Sequence, residues 1–280
     1  ERVGLIASRA EIPKIDPLEN CVITSCAGGE LDILLVGDSH AGALFTALES
    51  ELSSVSRNVN AAITNGCLHL PSRIIVSKSS ACAKQSEEIR TLIANGRPNT
   101  VVLYGYTAGR FTETNSGLSQ AISLRYTGSE EKILADQGPE AYEAALTETA
   151  RFISSLGSDV VIVRSTPDFP TGPHEIFRNG QTATQFLTLF AGFNDRQFGH
   201  AVSRDELLER HGQFAEIESL VAERQPRVQL VDSWSEICSP TICAQTDEAG
   251  NLLFADTDHL SAFGARLLAT RVAASIQRTG

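Results

Sequence analysis

Ile33-Leu34-Leu35-Val36-Gly37-Asp38-Ser39-His40-Ala41 is the stretch that decides the fold. Four consecutive apolar residues read as a buried strand, and Gly37 closes it. From Ala41 to about Leu52, Leu44, Leu48 and Leu52 recur at helical spacing. Ser39 is therefore expected on a strand-to-helix turn, at the carboxyl end of a strand. A helix N-terminus there favours developing negative charge. Near the other end of the chain, Asp256-Thr257-Asp258-His259 precedes a second helical pattern over Ser261–Ile276, in which Leu268, Val272 and Ile276 lie four apart. The two stretches supply a serine, an aspartate and a histidine in that order, the groups that build an activated serine nucleophile. Because Asp256 and His259 are three positions apart, one loop can deliver both acid and base.

Between these stretches, strands alternate with helices. Val59–Thr64 reads as a second strand ending at Asn65-Gly66-Cys67, and a loop runs on to Cys82 before a helix over about Ser86–Ala94. Thr100–Tyr104 is a third strand, Pro139–Leu156 a helix, Val160–Val163 a fourth strand, Asp205–Ala222 a helix and Val228–Val231 a fifth strand. Residues 244–254 suit a hairpin turning at Ala249-Gly250. Residues 107–138 and 166–203 lack periodicity and read as two long loop excursions. The expected fold is α/β, three-layered, with a mostly parallel central sheet flanked by helices. Residues 1–30 read as an irregular, Cys-bearing lead-in, and 31–280 as one domain, since no Pro/Ser-rich linker divides the chain.

Composition narrows the function. The 280 residues carry a net charge of -11 with no Lys/Arg cluster, which argues against nucleic acid as a partner. No apolar run is long enough to span a membrane. The chain opens on Glu1 without a signal-peptide pattern and holds no Met, as expected of a mature or excised segment of a longer polypeptide. Six cysteines fall as three close pairs: Cys21 and Cys26, Cys67 and Cys82, Cys238 and Cys243. There is no C-x-x-C to suggest a metal. The even count in local pairs fits disulfides and an oxidising compartment, against the alternative of unrelated buried thiols. Of about 15 possible connectivities, the local one is expected. No metal, cofactor or phosphate-binding loop is implied, because the glycines are scattered. The remaining histidines, His69, His174, His200 and His211, show no ligand spacing and suit surface or helix roles. Trp234 and Phe254 flank the Cys238–Cys243 loop and suit either a sugar-stacking platform or core packing.

Gly37-Asp38-Ser39-His40 after the first strand, with Asp256-x-x-His259 before the last helix, resembles the SGNH hydrolase superfamily. With Ala41, Gly66-Cys67 and the run from Asp256 through Ala265 (Asp-x-x-His-Leu-Ser-x-x-Gly-Ala), the chain is more narrowly similar to one subgroup. These are the periplasmic SGNH domains fused to membrane-embedded acyltransferase-three domains, which O-acylate bacterial surface polysaccharides such as the O-antigen of lipopolysaccharide. The resemblance spans about residues 31 to 276 and implies a flavodoxin-like fold. It also implies a periplasmic location and an acyl donor charged through the membrane domain of the same polypeptide.

By the same resemblance Ser39 is the nucleophile, His259 the base and later the acid, and Asp256 the residue that fixes the imidazole tautomer. Asp256 and Asp258 also have a plainer reading as helix-entry carboxylates. The backbone N–H groups of Ser39 and Gly66 would form the oxyanion hole. Gly66 also suits a turn before Cys67. Most SGNH enzymes add an Asn from a Gly-x-Asn-Asp block after the third strand. Here that position reads Gly105-Tyr106-Thr107-Ala108-Gly109-Arg110, a departure the acyltransferase-fused subgroup shares. Tyr106 or Thr107 would then line the site, and His40 would contact substrate or cap the turn. Gly192-Phe193-Asn194-Asp195 spells the missing block inside the second excursion, which leaves Asn194 as a runner-up donor or a chance match.

Two classes of function follow. One is acyl transfer through a serine ester to a glycan hydroxyl, or ester hydrolysis if water is the acceptor. The other is a non-catalytic glycan-binding module on the same scaffold, favoured by the missing Asn and opposed by the intact Ser39, His259 and Asp256.

Overall fold

The computed structural model describes residues 21–23, 31–64, 66–77, 79–107, 111, 124–173 and 201–278. Its central sheet has the order β1-β3-β2-β5-β7-β9, where β1 is Cys21–Ile23, β2 Ile33–Gly37, β3 Val59–Thr64, β5 Thr100–Tyr104, β7 Asp159–Val163 and β9 Val228–Val231. Five of these strands are parallel, from β3 through β9. Taken in chain order they run second, first, third, fourth, fifth, the flavodoxin-like arrangement. β1 adds to the β3 edge antiparallel, with Cys21 opposite Thr64. A strand therefore lies within the stretch expected to be an irregular lead-in.

β2 is central and every one of its residues is buried. That is why it reads as an unbroken apolar run rather than an alternation. Its side chains still alternate between faces. Ile33 and Leu35 join the core under α1 (Ser39–Ser53) and α6 (Ala262–Ile276), where Leu44, Leu48 and Leu52 meet Leu268, Val272 and Ile276. Leu34 and Val36 face the opposite layer. There they meet Ile89 and Ile93 of α2 (Ser80–Gly96), Tyr142 and Leu146 of α3 (Gly138–Ser155), and Phe214 and Val221 of α4 (Arg204–Arg224). A short α5 (Ser233–Ile237) buries Trp234 on the α1/α6 side.

α2 starts six residues earlier than its apolar pattern suggests, with Ser79 as N-cap, so Cys82 lies in its first turn rather than in a loop. Two small antiparallel ladders complete the described residues: β4 (Ile75–Ser77) with β6 (Leu124–Tyr126), and β8 (Ala201–Ser203) with β10 (Ile242–Ala244). The 244–254 stretch does turn back on itself, with Thr246 opposite Leu252 and Gly250 at φ +83°. Disulfides join Cys67 to Cys82 and Cys238 to Cys243. The expected Cys21–Cys26 pair involves a residue outside those described. Trp234 and Phe254 are core residues, 2% and 0% exposed, so neither offers a sugar platform. No helix among the described residues is long and apolar enough to cross a membrane.

Candidate active site

The turn after β2 places Ser39 as the first residue of α1. Asp38 is the helix cap: its carboxylate accepts the His40 N–H at 2.9 Å. Its other oxygen accepts the Tyr106 N–H at 3.0 Å, which ties the end of β5 to the same turn. Gly37 is required by close approach, since a Cβ there would lie 2.0 Å from the Tyr104 carbonyl oxygen. The Gly-Asp-Ser sequence thus has a local explanation: tight strand packing, then a cap, then a half-buried helix-start hydroxyl.

The partner groups arrive from the loop before α6. His259 Nε2 lies 2.7 Å from Ser39 Oγ. His259 Nδ1 lies 2.9 Å from one Asp256 oxygen and 3.1 Å from the other. The Asp256 carboxylate also accepts the backbone N–H groups of Asp258, at 3.0 Å, and His259, at 2.7 Å, so it shapes the loop as well as facing the ring. It does not cap the helix, and nor does Asp258. Ser261 does, accepting the N–H groups of Phe263 and Gly264. Two contacts from the segment after β7 brace the loop. Phe169 N–H donates to Thr257 O at 2.8 Å, and Thr166 Oγ1 to Asp258 O at 3.1 Å.

Electrostatics make His259 unusually basic. Partial burial opposes its charged form, but hydrogen bonds and attraction from Asp256 and Asp258 outweigh this and push it up to about 10. Asp258 is also desolvated, yet its contacts with His259 and His40 hold its carboxyl well below the usual range.

The other expected site residues divide. Gly66 follows β3 at φ +76°, so its backbone alone calls for glycine, and nothing lies within 4 Å of where a Cβ would stand. Thr107 is buried, its N–H donated to Ser165 Oγ at 2.9 Å, inside a hydroxyl network that also includes Gly105 O. Being enclosed there, it does not line a substrate surface. His40 is 2% exposed and neither caps the turn nor faces solvent. Its ring stacks on His259, centroids 4.3 Å apart, and on the other side against Tyr106 at 5.2 Å. Tyr106 is half-buried and donates its hydroxyl to Asp168 at 2.9 Å. Asp168 in turn meets His211 Nε2 at 2.7 Å and Arg210 at 2.6 Å. His211 is thus a buried, paired residue rather than a surface one. Asn194 lies outside the described residues.

Asp38, Asp258 and Asp168 were not singled out for the site by sequence reasoning. The first two sit inside the quoted motifs, where the signal was available. Asp168 sits in an excursion with no pattern, and only the folded contact reveals it.

No curated protein matches the chain in sequence. Among solved structures, the periplasmic domain of the lipopolysaccharide acetyltransferase of Salmonella ser. Paratyphi A is similar, with a TM-score of 0.61 at 15% identity over 89% of this chain and 84% of that one. The C-terminal catalytic domain of Streptococcus pneumoniae peptidoglycan O-acetyltransferase A is more distantly similar, with a TM-score of 0.41 at 17% identity over 90% and 96%. The family model described as the SGNH domain fused to AT3 domains matches residues 7–274, reaching back into the lead-in, and the chain belongs to that family.

Proposed function

We propose that this chain is the periplasmic acyl-transfer domain of a polysaccharide O-acyltransferase, with Ser39 as nucleophile. The observation that carries the reading is the continuous contact from Ser39 Oγ through both ring nitrogens of His259 to Asp256. A serine hydroxyl is a weak nucleophile until a base lies within hydrogen-bond reach. In the first step Ser39 Oγ bonds to the acyl carbonyl carbon while His259 Nε2 takes its proton. The oxyanion that develops is met by the N–H of Ser39 at the start of α1 and by that of Gly66. Collapse expels the donor's leaving group, which takes the proton from His259, and leaves an acyl ester on Ser39. In the second step a glycan hydroxyl gives its proton to His259 and attacks that ester, and Ser39 recovers its proton as the acylated sugar departs.

The family's fusion to AT3 domains supports a membrane acyltransferase partner in the same polypeptide, which we take as the source of the acyl group, with acetyl the expected group. Hydrolysis uses the same atoms with water as acceptor. It is the second reading, favoured by the partial exposure of Asp256 and His259 to solvent.

The test is turnover of a chromogenic acetyl ester by the domain and by Ser39→Ala, with and without oligosaccharide. Ser39→Ala is expected to lose activity by about a thousandfold or more. Acylated sugar formed at the expense of free acetate marks a transferase. Acetate alone marks an esterase. Undiminished turnover in Ser39→Ala overturns both.

A further inference from the structure

His259 faces more acid than a single triad requires. Its Nδ1 lies 2.9 Å from Asp256 and also 3.3 Å from Asp258 Oδ1. The second Asp258 oxygen lies 3.5 Å from Nε2 of His40. His40 Nδ1 in turn lies 3.1 Å from Asp38, the carboxylate that caps α1. A chain of alternating groups thus runs from the buried turn to the half-buried catalytic ring: Asp38, His40, Asp258, His259. We propose that Asp258, held by the buried His40, is a second positioning carboxylate for His259, so that the site has two acid arms on one imidazole nitrogen. The proposal rests on the reading of Ser39 and His259 as nucleophile and base.

The ring geometry selects a carboxylate as the bridge. The His40 and His259 rings are stacked within 20° of parallel. A ring nitrogen's lone pair lies in its own ring plane, so two nearly parallel rings do not aim at one point. A cation bound at about 2.0–2.1 Å needs such convergence. A carboxylate does not, because it offers one oxygen to each ring, and Asp258 is arranged in that way.

The arms differ in kind. Asp256 is 42% exposed and also committed to the backbone of its own loop. Asp258 is 21% exposed and lies 3.5 Å from Nε2 of a histidine that is 2% exposed. The groups facing His40 are Asp38 and Asp258, the His259 ring, and the Tyr104 and Tyr106 rings from the end of β5. Burial opposes a charge on His40, but the two carboxylates raise its pKa nonetheless. Asp256 is therefore the nearer arm and Asp258 the more enclosed one. Loss of either leaves a carboxylate at Nδ1.

The test uses Asp256→Asn, Asp258→Asn and the double variant, read by kcat/KM against pH and by NMR titration of the His259 ring. In a site with one acid, Asp→Asn costs about 10⁴-fold. Here Asp256→Asn is expected to cost only about 10–50-fold. Asp258→Asn is expected to cost a few-fold, within about tenfold, and to move the His259 midpoint about one pH unit downward, taking the acidic limb of kcat/KM with it. The double variant is expected to lose about 10⁴-fold, more than the product of the singles. An unmoved His259 midpoint in Asp258→Asn, or a double variant no worse than that product, overturns the proposal. Absence of Ser39-dependent turnover in the parent would sink the functional reading instead, and the titration, which needs no turnover, would then decide this one alone.

Discussion

At the scale of residues, the same two carboxylates that ready His259 for a proton also keep one on it. A base must be neutral to accept the Ser39 proton. With its pKa pushed up to about 10, the ring of the free protein stays largely charged at neutral pH. Ester turnover is accordingly expected to climb steadily from pH 6 toward pH 10. Stability should run the other way. A raised folded-state pKa contributes stability that is fully present below the unfolded value of 6.5 and is lost as pH rises through about 10. Rate measurements paired with urea unfolding at pH 6, 8 and 10 check both slopes, and parallel slopes would contradict the account. Ser39, Asp256 and His259 were legible in the sequence because each belongs to a short local pattern. The stacked position of His40 was not, because it depends on where β5 delivers Tyr106. No residue near His40 in the chain encodes that.

At the scale of elements, legibility followed apolar repetition. β3, β5 and β9 match their expected spans residue for residue. The start of α2 was missed because Ser80-Ala81-Cys82-Ala83-Lys84 carries no apolar spacing, and its cap does that work instead. The ladders β4–β6 and β8–β10 were missed because strands of three residues are too short to show alternation, and each pairs with a distant segment. Gly264 shows how the final motif acts through an element. A Cβ at this position would lie 2.2 Å from the Leu253 carbonyl oxygen. Gly264→Ala should therefore push α6 away from the segment that leads into Asp256 and His259. We expect a loss of about 1–3 kcal/mol, measured by denaturant unfolding, together with a fall in kcat larger than any rise in KM. Unchanged stability would mean that the backbone yields without cost.

At the scale of the whole molecule, the flavodoxin-like strand order puts Ser39 beside the switch point between β2 and its neighbours, where such sheets open a crevice. The alternation of strands and helices made a mostly parallel sheet legible, and the family resemblance implied the flavodoxin-like fold, but the strand order itself is set by contacts between distant segments. The disulfides were legible as local pairs, and the two formed among described residues close loops of 15 and 5 positions. Loop-closure entropy assigns about 3 kcal/mol to the longer and about 2 kcal/mol to the shorter. Replacing Cys67 and Cys82 by Ser should lower the melting temperature by about 6–12 °C, read by calorimetry, and the shorter loop should matter less. A larger drop for the Cys238–Cys243 pair would reverse that ranking.

Ser39 and His259 are 220 positions apart, and they meet only because α6 docks on α1. During synthesis at about 5–20 residues per second, the serine leaves the ribosome roughly 11–44 s before its base. For that interval the nascent chain carries a hydroxyl and nothing to activate it. Competence arrives only when α6 seats itself against α1. Biosynthesis is thereby self-gated: no copy that still lacks α6 can take an acyl group out of circulation.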